Sequence, residues 1–511
     1  MIKDSILEKS YEKWKGKTME NLIHEECGIF GIYDPSGKND VASSTYYGLF
    51  ALQHRGQESC GIAVNDRGVI NYYKNVGLVR DVFTKEKLES LGKGQIAIGH
   101  TRYSTFGTVN QTNAQPLVVR HVKGQMALAH NGNLTNAPEL REKLELQGAI
   151  FHTTNDSEII AYEIIQERLK TGSIEEAVEN VMDILEGAYS LVVMSPEKLV
   201  AARDKTGFRP LVMGKLSNGE IVFASETCAL DSLGATYIKD LAAGEIVVVD
   251  KNGIRSITTH IQPVKHMCVF EYIYFARPDS VMEGISVHEA RKQAGRILAK
   301  EHPVDADVVI GVPDSGLDAA LGYSEESGIP YETGFSKNKY IARTFIQPAQ
   351  SQRENAVRLK LNVIASVVKD KRVVMVDDSI VRGTTSARIV ALLKEAGAKE
   401  VHVRISAPPF VSPCYYGTDI DSKKNLIACK YSLDEIAEKI GADSLGYLSV
   451  EGAKEMAKNP GCDFCVGCFT EKYPAPIPTS QEKSQFEKKI NSSDEDQVDE
   501  RERVHGDAKE F

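Results

Sequence analysis

Val373-Val-Met-Val-Asp377-Asp378-Ser-Ile-Val-Arg382-Gly383-Thr384-Thr385-Ser386 is the stretch whose reading decides the fold. A run of apolar residues reads as a strand buried on both faces, as in a helix-covered parallel sheet. Two carboxylates end it, and a loop of small residues opens a helix predicted from about Ser386 to Ala396, where Gly397 stops it. Ligands of open α/β sheets bind at the carboxyl ends of strands. Asp377 and Asp378 are placed to accept hydrogen bonds from vicinal ribose hydroxyls. Backbone N–H groups from Arg382 to Ser386, with the hydroxyls of Thr384, Thr385 and Ser386, suit a terminal phosphate at a helix N-terminus. Gly383 lets the backbone approach closely. A lone Asp-Asp would read as an ordinary acidic strand end; the whole string does not.

The flanking sequence repeats the scheme. Val308-Val-Ile-Gly-Val is a short apolar strand, followed by the turn Pro313-Asp-Ser315-Gly316 and a helical stretch ending near Gly328. Ser315 offers a hydroxyl to phosphate or Mg²⁺ beside Asp377 and Asp378. A further strand is predicted at Val401-His-Val-Arg-Ile405. Apolar strands alternating with helices indicate a parallel sheet with right-handed crossovers. Between the two turns runs Lys337 to Leu361, cationic and poorly periodic, with Lys339, Arg343 and Lys360 among its bases. That composition fits a lid closing over pyrophosphate.

The first half has a different rhythm. Short strands are predicted at Cys27-Gly-Ile-Phe-Gly-Ile-Tyr33, Gln95 to Gly99, Gln125 to His130, Ser190 to Met194, Ile221 to Ala224 and Glu245 to Val249. A helix begins at about Asp156, which is expected to cap it. This half reads as mixed α/β with much antiparallel sheet. The predicted division is a polar leader over 1–26, one domain over 27–260, a second over 261–478, and a polar disordered tail over 479–511, too poor in apolar residues to fold.

Composition narrows the class. The 511 residues exceed what one core usually serves, so two domains are expected. A formal net charge of -10 argues against broad nucleic-acid binding. No apolar run is long enough to span a bilayer. The first 26 residues lack a signal-peptide core and carry acids that suit a mitochondrial presequence poorly, so the expected compartment is cytoplasmic. Nine cysteines, mostly apart, suit thiols, a metal site or catalysis better than a disulfide scaffold. Cys465-Val-Gly-Cys468 with the distant Cys268 and Cys414 could hold zinc or an iron–sulfur cluster. Cys462 could replace one of them. Cys60, Cys228 and Cys429 are expected as core thiols.

Two resemblances sharpen this. The Asp377-Asp378 to Gly383-Thr384-Thr385 string looks like the phosphoribosyltransferase fingerprint. Cys27-Gly-Ile-Phe-Gly-Ile, Leu52-Gln-His-Arg-Gly-Gln-Glu58, Gly99-His-Thr-Arg102-Tyr-Ser-Thr-Phe-Gly107, Ala129-His-Asn131-Gly132-Asn-Leu134 and Thr154-Asn-Asp156-Ser-Glu158 together resemble the class II glutamine amidotransferases. That resemblance implies an N-terminal-nucleophile αββα sandwich, followed here by a type I phosphoribosyltransferase domain with a mostly parallel sheet. It implies removal of the leader after Glu26, autocatalytic by analogy, so that the Cys27 α-amine becomes the base for its own thiol. An α-amine with pKa of about 7.7–8.0 can exchange a proton with a thiol near neutral pH. Asn131 and Gly132 would form the oxyanion hole, Arg102 would grip the glutamine carboxylate, and Asp156 its ammonium.

In this order the halves resemble the glutamine phosphoribosylpyrophosphate amidotransferase family, from Cys27 to Pro474. The resemblance implies Mg²⁺ with the pyrophosphate, channelled ammonia, 5-phosphoribosylamine as product, inhibition by purine nucleotides such as AMP and GMP, and a homotetramer, sometimes a dimer. One branch carries a [4Fe–4S] cluster on cysteines matching Cys268, Cys414, Cys465 and Cys468. Two alternatives predict other features. A glucosamine-6-phosphate synthase type would lack the Asp377-Asp378 loop. A phosphoribosyl-binding regulator would carry a basic DNA-binding segment.

Overall fold

A computed structural model describes residues 27–103, 111–338, 361–420, 422–459 and 461–478. The predicted leader and tail, and the lid residues Lys339, Arg343 and Lys360, lie outside the described residues.

The first half folds as two antiparallel sheets. One has seven strands in the order Thr236–Asp240, Val212–Lys215, Ile221–Ala224, Gly28–Tyr33, Ile96–Arg102, Ser59–Asp66 and Val69–Val76. The other has six, in the order Gly253–Ile257, Ile246–Asp250, Leu199–Arg203, Gly187–Met194, Gly124–Leu134 and Leu117–His121. Side chains alternate across a strand, so each sheet feeds two cores. Ile29 and Tyr33 of the central strand join Ile98, Ala129, Val192, Phe223 and Val247 between the sheets. Phe30 and Ile32 face the other way, onto the helix Val41–Ala51. On the outer face of the second sheet, Leu128, Leu191 and Val248 pack against the helices Ala137–Leu146, Asp156–Lys170 and Ile174–Val181. The result is helix, sheet, sheet, helix, the four-layer sandwich expected.

The second half carries a parallel sheet in the order Val308–Gly311, Arg372–Asp377, Glu400–Ile405 and Ser444–Tyr447. Its strands are buried along almost their whole length because helices cover both faces. Gly295 of the helix Val287–Glu301 and Gly322 of the helix Gly316–Ser327 let these two elements touch backbone to backbone. A Cβ on either would lie 1.9 Å from a carbonyl oxygen of the other helix. This fixes the turn that carries Ser315.

Three local expectations need correction. Asn155, not Asp156, caps the helix Asp156–Lys170, its side chain accepting from the Ser157 N–H at 3.0 Å. Asp156 is the first helical residue, and its carboxylate turns to the Leu134 N–H at 2.9 Å. The helix after Asp378 starts at Thr384, not near Ser386. Gly383 at φ +82° ends the loop, so Thr384, Thr385 and Ser386 form the first helical turn. Cys60 and Cys228 are buried as expected, but Cys429 is exposed, in a 3-10 turn.

Candidate active site

Cys27 stands at the head of the central strand, paired through Gly28 with Thr101 of the neighbouring strand. That register brings its sulfur to the Tyr103 carbonyl at 3.5 Å, next to Arg102. Arg102 is itself buried at the end of its strand. The second sheet supplies Asn131 and Gly132. His100 joins the two sheets here, its Nε2 lying 3.0 Å from the His130 carbonyl. Burial pushes the His100 pKa down to about 3, so the ring is neutral and Nε2 is the atom that holds its proton against that carbonyl. Gln115 holds His130 on both sides, accepting from its N–H at 2.8 Å and donating to its carbonyl at 3.3 Å.

The next residue, Asn131, is almost fully buried. Among the described residues its Nδ2 has no hydrogen-bond partner. A buried amide donor left unmade costs about 1–3 kcal/mol, so it has the character of a donor held for a ligand. Asp156 sits behind this strand, its Oδ1 3.5 Å from His130 Nδ1. The five expected residues of this half thus come from three strands and one helix N-terminus.

In the second half, two βα turns converge. The Ser315 hydroxyl donates to Asp378 Oδ1 at 2.6 Å, tying the turn after Val308–Gly311 to the one after Arg372–Asp377. Asp378 also accepts from the Ser379 hydroxyl. Both carboxyls are buried, and among the described residues neither forms an ion pair. Burial, then the neighbouring Asp378, raises the Asp377 pKa well above its ordinary value. Burial raises that of Asp378 too, opposed by its serine hydrogen bonds. Buried carboxyl groups beside a hydroxyl are a donor set that could hold a hard, oxygen-seeking cation such as Mg²⁺. First-turn N–H groups of a helix lack intrahelical acceptors, and here they belong to Thr384, Thr385 and Ser386. Arg382 and Gly383 lead into that turn.

The cysteines gather elsewhere. The parallel pair Lys265–Cys268 and Cys462–Cys465 puts Cys268 in register with Cys465. These two, with Cys414 and Cys468, line a small cavity walled by Phe208, Arg209, Phe270, Tyr416 and Tyr473. Cys462 is three residues from Cys465 in the same strand. An odd offset points it to the opposite face, and it does not line the cavity. Among the described residues, no three of the four sulfurs lie mutually within 4.8 Å. Four cysteines lining one cavity are a donor set that could hold zinc or an iron–sulfur cluster.

The comparisons agree with this architecture. A glutamine amidotransferase domain model matches residues 100–232, and a phosphoribosyl transferase domain model matches 284–443. An amidophosphoribosyltransferase of Methanocaldococcus jannaschii is 52% identical over 467 residues, 88% of this chain and 98% of the relative. This chain belongs to the amidophosphoribosyltransferase family. One of Bacillus subtilis is 48% identical over 89% of this chain and 95% of its own. The solved Bacillus subtilis glutamine phosphoribosylpyrophosphate amidotransferase, complexed with ADP and GMP, superposes with a TM-score of 0.81 at 47% identity, covering 89% of this chain and 98% of that one. The family carries out the first step of purine biosynthesis, and its two domains account for glutamine and phosphoribosyl pyrophosphate as substrates.

The family reading leaves one set of residues that the sequence did not single out. Arg55, Arg209, Glu226 and Glu271 form a fully buried ion-pair network between the two halves. Arg55 lies inside the quoted Gln-His-Arg-Gly string, and Glu271 follows Cys268 by three. Neither had a partner visible in sequence, because each pair spans at least 62 residues.

Proposed function

We propose that the chain makes 5-phosphoribosylamine, glutamate and pyrophosphate from glutamine, phosphoribosyl pyrophosphate and water, with Cys27 as the nucleophile. The unpartnered Asn131 amide carries this reading. Cys27 Sγ attacks the glutamine side-chain carbonyl. The developing oxyanion is stabilised by Asn131 Nδ2 and the Gly132 N–H, as donors pre-aimed in a dry site. The Cys27 α-amine, freed by cleavage after Glu26, takes the thiol proton and returns one to the leaving ammonia. Arg102 and Asp156 hold the two ends of the amino acid. Water then releases glutamate from the thioester.

At the second site Asp377 and Asp378 take the ribose hydroxyls, and the turn Arg382 to Ser386 takes the 5-phosphate. Lys339, Arg343 and Lys360 are assigned to the pyrophosphate. Ser315, Asp377 and Asp378 would hold Mg²⁺, which would supply charge neutralisation at the pyrophosphate. Ammonia arrives through a channel closed to solvent and displaces pyrophosphate at ribose C1 with inversion. Cys268, Cys414, Cys465 and Cys468 would hold a [4Fe–4S] cluster, which would supply a structural clamp. The domain limits assigned are 27–260 and 261–478.

Feedback by purine nucleotides such as AMP and GMP is supported by the relative solved with ADP and GMP. Among the described residues no helix is long and apolar enough to cross a membrane, and a cytoplasmic homotetramer is the assembly inferred from the family. Two variants test the division of labour. Cys27→Ala abolishes glutamine use but keeps ammonia-dependent synthesis; loss of both activities contradicts separate sites. Asp378→Ala cripples synthesis with either nitrogen donor; parental rates contradict the ribose assignment.

A further inference from the structure

We infer that Glu271 is a positioning residue for the glutamine-cleaving thiol, acting through Arg55. The inference rests on the assignment of Cys27 as nucleophile. A nucleophile on the first residue of a mature chain has no preceding peptide to fix it. Its orientation depends on what holds its own carbonyl. Here Arg55 Nε donates to the Cys27 carbonyl at 3.0 Å. Arg55 is in turn gripped on its two terminal nitrogens by Glu271, with Nη1 to Oε2 at 2.9 Å and Nη2 to Oε1 at 2.8 Å. A bidentate carboxylate fixes the plane of a guanidinium as well as its place.

Glu271 is not part of either antiparallel sheet. It opens the π-helix Glu271–Phe275, three residues after Cys268. A second buried guanidinium, Arg209, approaches Glu271 Oε1 at 3.4 Å and donates Nη2 to the Tyr416 carbonyl at 2.6 Å. Arg209 and Tyr416 both wall the cysteine cavity. The Cys414–Gly417 loop also reaches the oxyanion strand, where Asn133 Nδ2 donates to the Tyr415 carbonyl at 3.0 Å. So the plane of Arg55, and with it the Cys27 main chain, is set by a carboxylate anchored beside the cavity. Glu226 completes the charge count. It accepts from Arg55 Nη1 at 2.7 Å, from His54 Nε2 at 2.8 Å and from the Ser280 hydroxyl at 2.7 Å. Burial opposes its charge, but His54 and Arg55 hold its carboxyl well below the usual range. Two guanidiniums face two carboxylates with no exposure. Such a network contributes geometry more dependably than stability.

The test is labelling of the processed full chain by a diazoketone analogue of glutamine. This reagent alkylates a thiol in the glutamine pocket, forming an S–C bond with loss of dinitrogen, and yields separate KI and kinact. Glu271→Gln keeps the shape but puts an amide donor against Arg55. The expected result is a tenfold or larger fall in kinact with KI within threefold of the parent, because Arg102 and Asp156 are untouched. Displacement of a reacting group by about 1 Å is worth up to 10²-fold. Glu271→Asp, which restores the charge, returns kinact to within threefold of the parent. An unchanged kinact in Glu271→Gln, even with a lower melting temperature, overturns the proposal, as does a rise in KI that accounts for the whole effect. If Glu271→Gln does not melt cooperatively, Arg209→Lys decides: it keeps the charge but loses the fork to Tyr416 and Glu271. A threefold fall in kinact at constant KI supports the proposal and no change overturns it. Labelling that persists in Cys27→Ala removes the nucleophile assignment itself, whereas labelling lost there with kinact intact in Glu271→Gln removes only the present inference.

Discussion

Replacing Asn131 by alanine separates a catalytic amide from a structural one. Nδ2 of Asn131 is buried with no partner among the described residues, so the folded protein carries the cost of that donor, about 1–3 kcal/mol. Removing it returns that cost. Truncation also loses packing at a site that is 1% exposed, worth a similar amount. The two terms oppose each other, and the net change in stability is expected within about 1 kcal/mol. The effect on catalysis has no such offset. Losing one oxyanion donor costs about 2.7–4 kcal/mol of transition-state stabilisation, or 10²–10³ in kcat. The assay is steady-state glutamate release alongside a melting curve of the same preparation. The expected pattern is a kcat lowered at least a hundredfold, a glutamine KM within threefold of the parent, and a melting temperature within about 2 °C. A clear drop in melting temperature with less than a tenfold fall in kcat would refute the assignment, because it is what a structural amide gives.

Asp377→Asn abolishes synthesis with glutamine or ammonia, and without ligand it melts above the parent at pH 7. The sign follows from the raised pKa values of the Asp377–Asp378 pair: the pair's contribution to stability is present below the ordinary value of 3.8 and is lost as pH rises through the raised folded value. Melting curves across pH 4–8 check it. Cys465→Ser leaves anaerobically purified protein with less than a quarter of the parental iron per chain, whereas Cys462→Ser leaves it unchanged; iron and sulfide analysis distinguishes them. Asn155→Ala removes the cap of the helix bearing Asp156 and costs about 1 kcal/mol, read from denaturant melts, with a raised KM for glutamine. Gly322→Ala sets a Cβ 1.9 Å from the Lys292 carbonyl and costs about 3 kcal/mol, read in the same way.

The strands and the acidic turn were legible because they are local. Val373 to Val376 can be little else than a buried strand, and Gly383 marks its own left-handed turn. Helix starts were less so. Asn155 and Asp156 are both good caps, and only tertiary contacts decide between them: Asp156 is drawn to the Leu134 N–H, leaving Asn155 to cap. The set of four cysteines was left open in sequence by Cys462. Strand register sets Cys268 beside Cys465, and register is a property of pairing that a single strand does not display. The Arg55–Glu271–Arg209 network was invisible for the same reason, since each partner looks like an ordinary surface charge until the halves are packed together. Cys429, read as a core thiol by habit of its type, lies exposed in a 3-10 turn.

The measurement that tests the account most directly is glutamate and pyrophosphate release, scored in parallel on anaerobically purified protein, with and without phosphoribosyl pyrophosphate and Mg²⁺. The account predicts a glutaminase rate that rises strongly with phosphoribosyl pyrophosphate, and equal amounts of glutamate and pyrophosphate. A glutaminase rate indifferent to phosphoribosyl pyrophosphate, or glutamate far in excess of pyrophosphate, would contradict it.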